Sequence, residues 1–412
     1  MNVLLADTIL TMNPAREIVR GGAIVFDENV IEVTDDLEAI EKRKKTARVI
    51  DCGRGSIAMP GLINAHTHLE FSGTSTELNY GSFIAWLSSV IEKRETLVKG
   101  LSKELIDGVL DETLRGGTTT IGAISSYGFD LDSLADAKQK TICFNELIGS
   151  NPAASEQIFS AFLNRVAKSD EYRSDRFVSA IAIHSPYSVS PALVKKAIAL
   201  SQSRKTPLSV HFLESKSERK WLESSSGEFK PFFEKVFKLD SPFCNAQEFL
   251  SFFGDGGKIL FTHCVAANDE ELDAIGKIGG AIVHCPVSNR LLGCGLLSLE
   301  KLKNREISYL VATDGLSSNY SLNLFGELRS ALFMHEGLDL PLLARDLLRS
   351  VTDSAARALG LNTGRLASGY AADIICFRLP GEVSDDSLLP LQAILRAPSA
   401  MDYIFINGES AL

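Results

Sequence analysis

The stretch MPGLINAHTHLEFSG (59–73) leaves an apolar run with His66 and His68 one residue apart. Alternate residues of a strand point to the same side, so imidazoles at i and i+2 can converge on one point. Imidazole nitrogens suit Zn²⁺ or Fe²⁺, and one carboxylate completes such a set. The chain has only seven histidines, and four more end strand-like runs: His184 in FVSAIAIHS, His211 in PLSVHF, His263 in KILFTH and His284 in AIVHC. A matching run, YLVATD, ends in Asp314. A single histidine at a strand end is most often a satisfied polar residue. Six with an aspartate are hard to explain as packing, because each imidazole would need its own buried partner. His66, His68, His211 and Asp314 would offer three nitrogens and an oxygen, with a position left for water, which is a catalytic arrangement rather than a closed structural one.

Glu214 follows His211 by three residues in HFLES. A carboxyl group there reads either as a proton shuttle beside the metal or as a solvated loop glutamate. The charges after it, Lys216, Glu218, Arg219 and Lys220, read as a solvated face. Cys264 and Cys285 each follow a strand-end histidine. Alternation predicts that both thiols turn outward as buried apolar groups. His335, in ALFMHEGL, reads as a surface or partly packed residue. Phe83 and Trp86, in GSFIAWL, could lie against an aromatic ligand or simply pack a helix.

These residues need a scaffold that brings strand ends together. Eight strand-like runs occupy 57–64, 118–124, 141–148, 177–183, 207–212, 258–263, 281–285 and 309–314, with helix-like runs between most of them. In PALVKKAIALSQSRK (191–205) the apolar positions 193, 194, 197, 198 and 200 fall mostly on one face. Eight βα units in about 300 residues predict a closed (β/α)8 barrel, whose active sites lie at the C-terminal ends of the strands. The bland alternative is an open doubly wound sheet. The two chain ends are strand-rich instead: 2–12, 22–34 and 48–52 at the start, and 371–379 and 402–410 at the finish. The expected division is 1–58 with 365–412 as a small composite β-sandwich, and 59–364 as the catalytic barrel. The long stretch 215–242 reads as a loop, either a lid or a surface decoration.

Composition bounds the partners. The chain of 412 residues is 45% hydrophobic and carries a formal charge of −10, which disfavours nucleic acid and anionic membranes. No apolar run spans a bilayer, and the start lacks a signal-peptide pattern. Seven scattered cysteines with no Cys-x-x-Cys point to reduced thiols and a cytoplasmic location. The expected partner is a small-molecule substrate, with homo-oligomerisation left open. The His-x-Glu and Pro-Cys-x-x-Cys signature of cytidine-type deaminases is absent.

PGLINAHTHLE, HFLES, THCVAANDEEL, HCPVSNRLLG, TDGLSSNYSLNLFGELR and GRLASGYAADIICF together resemble the amidohydrolase superfamily. The branch they look most like is that of chlorohydrolases and adenosine-type deaminases, including S-adenosylhomocysteine and aminofutalosine deaminases, and the likeness runs nearly end to end. It implies one divalent metal, Zn²⁺ or else Fe²⁺, on His66, His68, His211 and Asp314. It implies Glu214 as proton shuttle, and His263 and Asp314 as the groups that polarise the attacking water. His184, in IHSPYSVS, looks like a substrate-contacting histidine. His284, Asn289 and Arg290 join Phe83 and Trp86 as candidate substrate contacts. Binuclear members place a carboxylated lysine at the end of strand four; here that strand ends AIAIHSPY, which favours one metal. The implied reaction is hydrolytic deamination of an aminated purine nucleoside, aminofutalosine of menaquinone biosynthesis first. S-adenosylhomocysteine or methylthioadenosine is the alternative, followed by guanine or triazine substrates, a cyclic-amide hydrolase and a metal-free scaffold. The benzoate carboxylate of aminofutalosine would need a cation, with Arg290 the first candidate and Lys216 and Arg219 the others.

Overall fold

In the computed structural model, which describes all residues except 75, 382 and 384, two sheets organise the chain. The N-terminal strands are β1 (Asn2–Leu10), β2 (Ile18–Phe26), β3 (Val30–Thr34), β4 (Arg48–Asp51) and β5 (Ser56–Pro60). The barrel strands are β6 (Leu62–Thr67), β7 (Thr118–Ser125), β8 (Lys140–Leu147), β9 (Phe177–Ile183), β10 (Leu208–Phe212), β11 (Ile259–His263), β12 (Ala281–His284) and β13 (Tyr309–Val311). The C-terminal strands are β14 (Ile374–Arg378), β15 (Tyr403–Ile406) and β16 (Glu409–Ser410).

The chain ends meet in one mixed sheet of order β16-β15-β14-β5-β1-β2-β3, with β4 branching off β1. β5 runs parallel to β1 and antiparallel to β14, so it joins the N-terminal strands to the C-terminal ones. The sequence run 57–64 is therefore two strands. Its first half belongs to the terminal sheet, and after Gly61 the second half opens the barrel.

β6 to β13 are parallel throughout and lie in chain order. The seam between β13 and β6 is closed by side chains and backbone together. Asn64 donates its amide to Thr313 Oγ1 (2.7 Å), Thr67 Oγ1 donates to the Asp314 carbonyl (2.9 Å), and the Asp314 N–H donates to the His66 carbonyl (3.2 Å). The sheet is a barrel, not an open wound sheet. Its apolar filling includes Ile63, Ile124, Ile142, Phe144, Ala180, Leu260, Val283 and Leu310, all buried. A second, larger cluster packs the outer strand faces against the helices.

The helices follow their local signals. Pro191 opens the helix Pro191–Arg204 and a left-handed Lys205 (φ 55°) ends it, with Leu193, Val194, Ala197 and Ile198 buried as the spacing predicts. The stretch 215–242 is not a loop: it forms helices Lys216–Ser224 and Phe229–Val236. Trp221 stacks on Phe233 at 4.9 Å between ring centres, and Phe229 meets Tyr187 and Phe83. This packed cap sits directly after β10, on the face where the strands end.

Candidate active site

Five of the seven imidazoles converge at the C-terminal mouth of the barrel. His66 and His68 leave β6, His211 lies in β10, His263 ends β11 and His184 follows β9. Ring centres lie 4.9 Å apart for His66 and His211, 5.3 Å for His68 and His211, and 5.6 Å for His211 and His263. Asp314 closes the group, its Oδ1 3.7 Å from His66 Nε2 and 3.5 Å from His68 Nε2. Backbone strain helps to aim them. His263 (φ 74°), Cys264 (φ 51°) and Asp314 (φ 58°) all take left-handed conformations where their strands end, a conformation that costs a non-glycine residue energy and clusters at functional sites. At Gly315 an added Cβ would lie 2.8 Å from His68 Cβ, so glycine lets the Asp314 turn press against His68.

The donors fit a divalent cation. His211 Nδ1–H donates to the His184 carbonyl (2.8 Å), which leaves Nε2 with its lone pair. That Nε2 lies 3.3 Å from His68 Nε2. The buried Nε2 of His66 has no hydrogen-bond partner at all. Lone pairs turned toward one another without a shared proton are what a cation between them would satisfy. Burial holds His211 down at about 4 and His68 well below its usual range, so the rings are neutral, the form that coordinates. Burial works against ionising Asp314, but the surrounding His66, His68 and His263 overcome it and hold its carboxyl well below the usual range. Its other oxygen accepts from Ser288 Oγ (2.7 Å) and Ser318 Oγ (2.8 Å), which fix the carboxylate plane.

Glu214 is buried, with Oε1 3.6 Å from His263 Nε2. Burial first, then Asp314 and Glu218, push its carboxyl well above the usual range. Beside the histidine and Asp314 cluster, its carboxyl therefore holds a proton more readily than a free one, the property a proton shuttle would need. Behind it, Glu218 is not a solvated charge. It is buried, and its two oxygens accept the backbone N–H groups of Leu213 (3.1 Å) and Glu214 (2.8 Å). Burial lifts its carboxyl to about 7. Ser215 caps the following helix by accepting from Glu218 N.

The remaining candidates divide. His184 Nδ1 meets Ser188 Oγ (2.7 Å) and Ser185 Oγ (3.0 Å), and its ring lies 5.3 Å from His211. The Asn289 side-chain amide lies 3.0 Å from His263 Nδ1, so Asn289 orients the His263 ring. Phe83 is buried against Trp86 and Phe229, while Trp86 Nε1 donates to the Ser317 carbonyl (2.9 Å). Arg290 is exposed, with no ion-pair partner among the described residues. His284 does not join the other five. Its Nε2 lies 3.1 Å from His335 Nε2, and His335 is buried, not on the surface. Alternation explains this: Val283 and Cys285 pack into the barrel filling, which turns Ile282 and His284 outward. Cys285 therefore faces inward, against expectation, while Cys264 packs in the outer cluster. Both are buried free thiols.

A profile of the amidohydrolase family matches residues 57–410. An aminodeoxyfutalosine deaminase of Nitratiruptor sp. is 40% identical over 409 residues, 99% of both chains. A Helicobacter pylori protein named adenosine deaminase is 31% identical over 417 residues, covering 100% of this chain and 99% of the other. Among solved structures, Helicobacter pylori aminofutalosine deaminase in complex with methylthio-coformycin superposes with a TM-score of 0.94 at 30% identity, each chain covered in full.

Proposed function

The chain belongs to the amidohydrolase family, and from that premise we propose that it is a hydrolytic deaminase of aminated purine nucleosides, with aminodeoxyfutalosine as its substrate. The reaction type rests on one observation above all: a buried Glu214, its carboxyl pushed well above the usual range, stands 3.6 Å from His263 at the edge of the cluster of histidines and Asp314. The substrate rests on the end-to-end likeness to a protein of that name, at 40% identity.

When bound, a divalent ion at His66, His68, His211 and Asp314 lowers the pKa of a water toward neutrality. The chain's own groups do the rest. Glu214 donates its proton to a ring nitrogen of the adenine-type base, which makes the neighbouring carbon electrophilic. Asp314 and His263 take a proton from the attacking water and orient it. The C–N bond breaks as the proton is relayed to the amine, and ammonia leaves with the oxo-purine as the other product. His184, beside His211 and held by Ser185 and Ser188, is assigned to the substrate.

The ion is read as one Zn²⁺ per chain, with Fe²⁺ as the other ion such donors take. In support, β9 is followed by His184 and not lysine, and the ligand groupings among the described residues all share one cluster. Seven free, buried cysteines favour a reducing compartment and hence a cytoplasmic enzyme. No helix among the described residues is long and apolar enough to cross a membrane. The test is ammonia release from purified protein with aminodeoxyfutalosine, 5′-methylthioadenosine, S-adenosylhomocysteine and adenosine in parallel. Highest kcat/KM on the first supports the reading. Turnover confined to methylthioadenosine or S-adenosylhomocysteine moves the substrate to that alternative, and turnover of none of them refutes nucleoside deamination.

A further inference from the structure

Directly after Glu214 the fold leaves a cleft of about 420 Å³, whose walls include Phe83, Ser215, Lys216, Lys220, Gly227 and Glu228. Ser215, the next residue after Glu214, lines the cleft, so the cleft begins one residue along the chain from the proposed acid, though neither Glu214 nor any of the clustered histidines is on its wall. Lys216 and Lys220 stand four apart on the helix Lys216–Ser224 and so share a face. Among the described residues neither ammonium has a hydrogen-bond or ion-pair partner, and both line the cleft. Arg219, between them, is already committed: its Nε donates to the Ala266 carbonyl (2.5 Å), and its other nitrogens pair with Glu223 and Glu271.

Two further features keep the lysines available. Gly227 has φ +80°, and a Cβ there would lie 3.1 Å from Lys220 Cβ and 3.2 Å from its Cδ, so the glycine leaves the lysine stem its groove. Glu228, the one carboxylate on the wall, is engaged by Ser217 Oγ at 2.7 Å. With Glu228 counted, two ammonium groups against one carboxylate leave the wall net positive in a chain of formal charge −10. Their field favours an anion beside the reactive carboxyl. Arg290, the sequence candidate for this role, does not line the cleft.

We propose that this cleft receives the carboxylate end of the substrate, with Lys216 and Lys220 as its countercharges. The assignment rests on the aminodeoxyfutalosine reading, whose nucleoside carries a benzoate. The lysines set specificity and take no part in the chemical step.

The test measures kcat and KM for the parent, Lys216→Met, Lys220→Met and the double variant. Substrates are aminodeoxyfutalosine and 5′-methylthioadenosine, which lacks the carboxylate. Each single variant is expected to lose about 2- to 5-fold in kcat/KM on the carboxylated substrate, the scale of one exposed ion pair. The loss should fall mainly in KM, the double variant should lose more, and methylthioadenosine should change less than twofold. Rising salt should erase the parent's preference. Equal losses on both substrates, or none on either, would overturn the lysine assignment while leaving the substrate reading intact. A parent active on methylthioadenosine but inert toward aminodeoxyfutalosine would overturn the substrate reading, and the carboxylate site with it.

Discussion

Glu218 makes no contact with His66, His68, His211 or Asp314, yet its replacement should disable the enzyme. The carboxylate accepts the N–H groups of Leu213 and Glu214 at the turn where β10 gives way to the cap, and Leu213 takes a left-handed φ of 45° there. Glu218→Ala leaves both buried donors without an acceptor. Each such group costs about 1–3 kcal/mol, so a loss of roughly 2–6 kcal/mol is expected, with a lowered Tm. The turn that aims Glu214 loosens as well, and a displacement of about 1 Å at a reacting group costs on the order of 10²-fold in rate. Glu218→Gln supplies one acceptor oxygen but sets its NH₂ against the second N–H, so it should fall between parent and alanine. Activity should fall in kcat, with KM and bound metal close to parental, because the proposed ligands His66, His68, His211 and Asp314 are untouched. Thermal melting, metal analysis and steady-state kinetics on the same preparations decide the matter. A Glu218→Ala protein with parental kcat and Tm would refute the positioning role, and one that lost its metal would mean the turn holds the ligands instead of the acid.

Asp314→Asn and Glu214→Gln should fail differently: the first loses metal and turnover together, while the second keeps metal and loses about 10²–10⁴-fold in rate, as metal analysis beside kinetics will show. One metal per chain is expected, and a reproducible count of two with both needed for activity would make His263 a ligand of a second ion. Burial raises Glu327 to about 8, above its unfolded value of 4.5; the folded state therefore holds the proton more tightly, so its contribution is full below pH 4.5 and lost as pH rises toward 8. Glu327→Gln should flatten that fall in a Tm-versus-pH series, and an unchanged slope would show that Glu327 does not cause it.

The clustered strand-end residues were legible because their chemistry is local. A histidine at the end of an apolar run announces both the strand and the face at which it ends, so His66, His68, His211, His263 and Asp314 could be found one strand at a time. The barrel followed from counting those runs. The strand at 57–64 was harder, since apolar character is the same in a sheet edge and in a barrel wall; only its hydrogen-bond partners, set far away in β1, β14 and β7, divide it at Gly61. The helices in 215–242 did have a signal. Ser215-x-x-Glu218 has the capping-box spacing that marks a helix start, but the many charges around it read as solvent-facing.

What stayed hidden is the layer that holds the ligands. Ser288 and Ser318 on Asp314, Thr262 on His66 and Asn289 on His263 are small polar residues of types found in any loop, and their meaning lies in which strand end they face. Glu327 is the plainest case. From a helix far along the chain it accepts from Asn319 and from the Val287 N–H (3.3 Å). It thereby ties the turn after Asp314 to the short helix that carries Ser288 and Asn289. One buried carboxyl thus braces supports of both Asp314 and His263. A residue that acts on two members of the cluster through two separate loops has no spacing to betray it, because the distance that matters closes only when β12 and β13 stand side by side. His284 is the converse: its residue type and strand-end position match the ligands, and one step of alternation sends it to His335 instead.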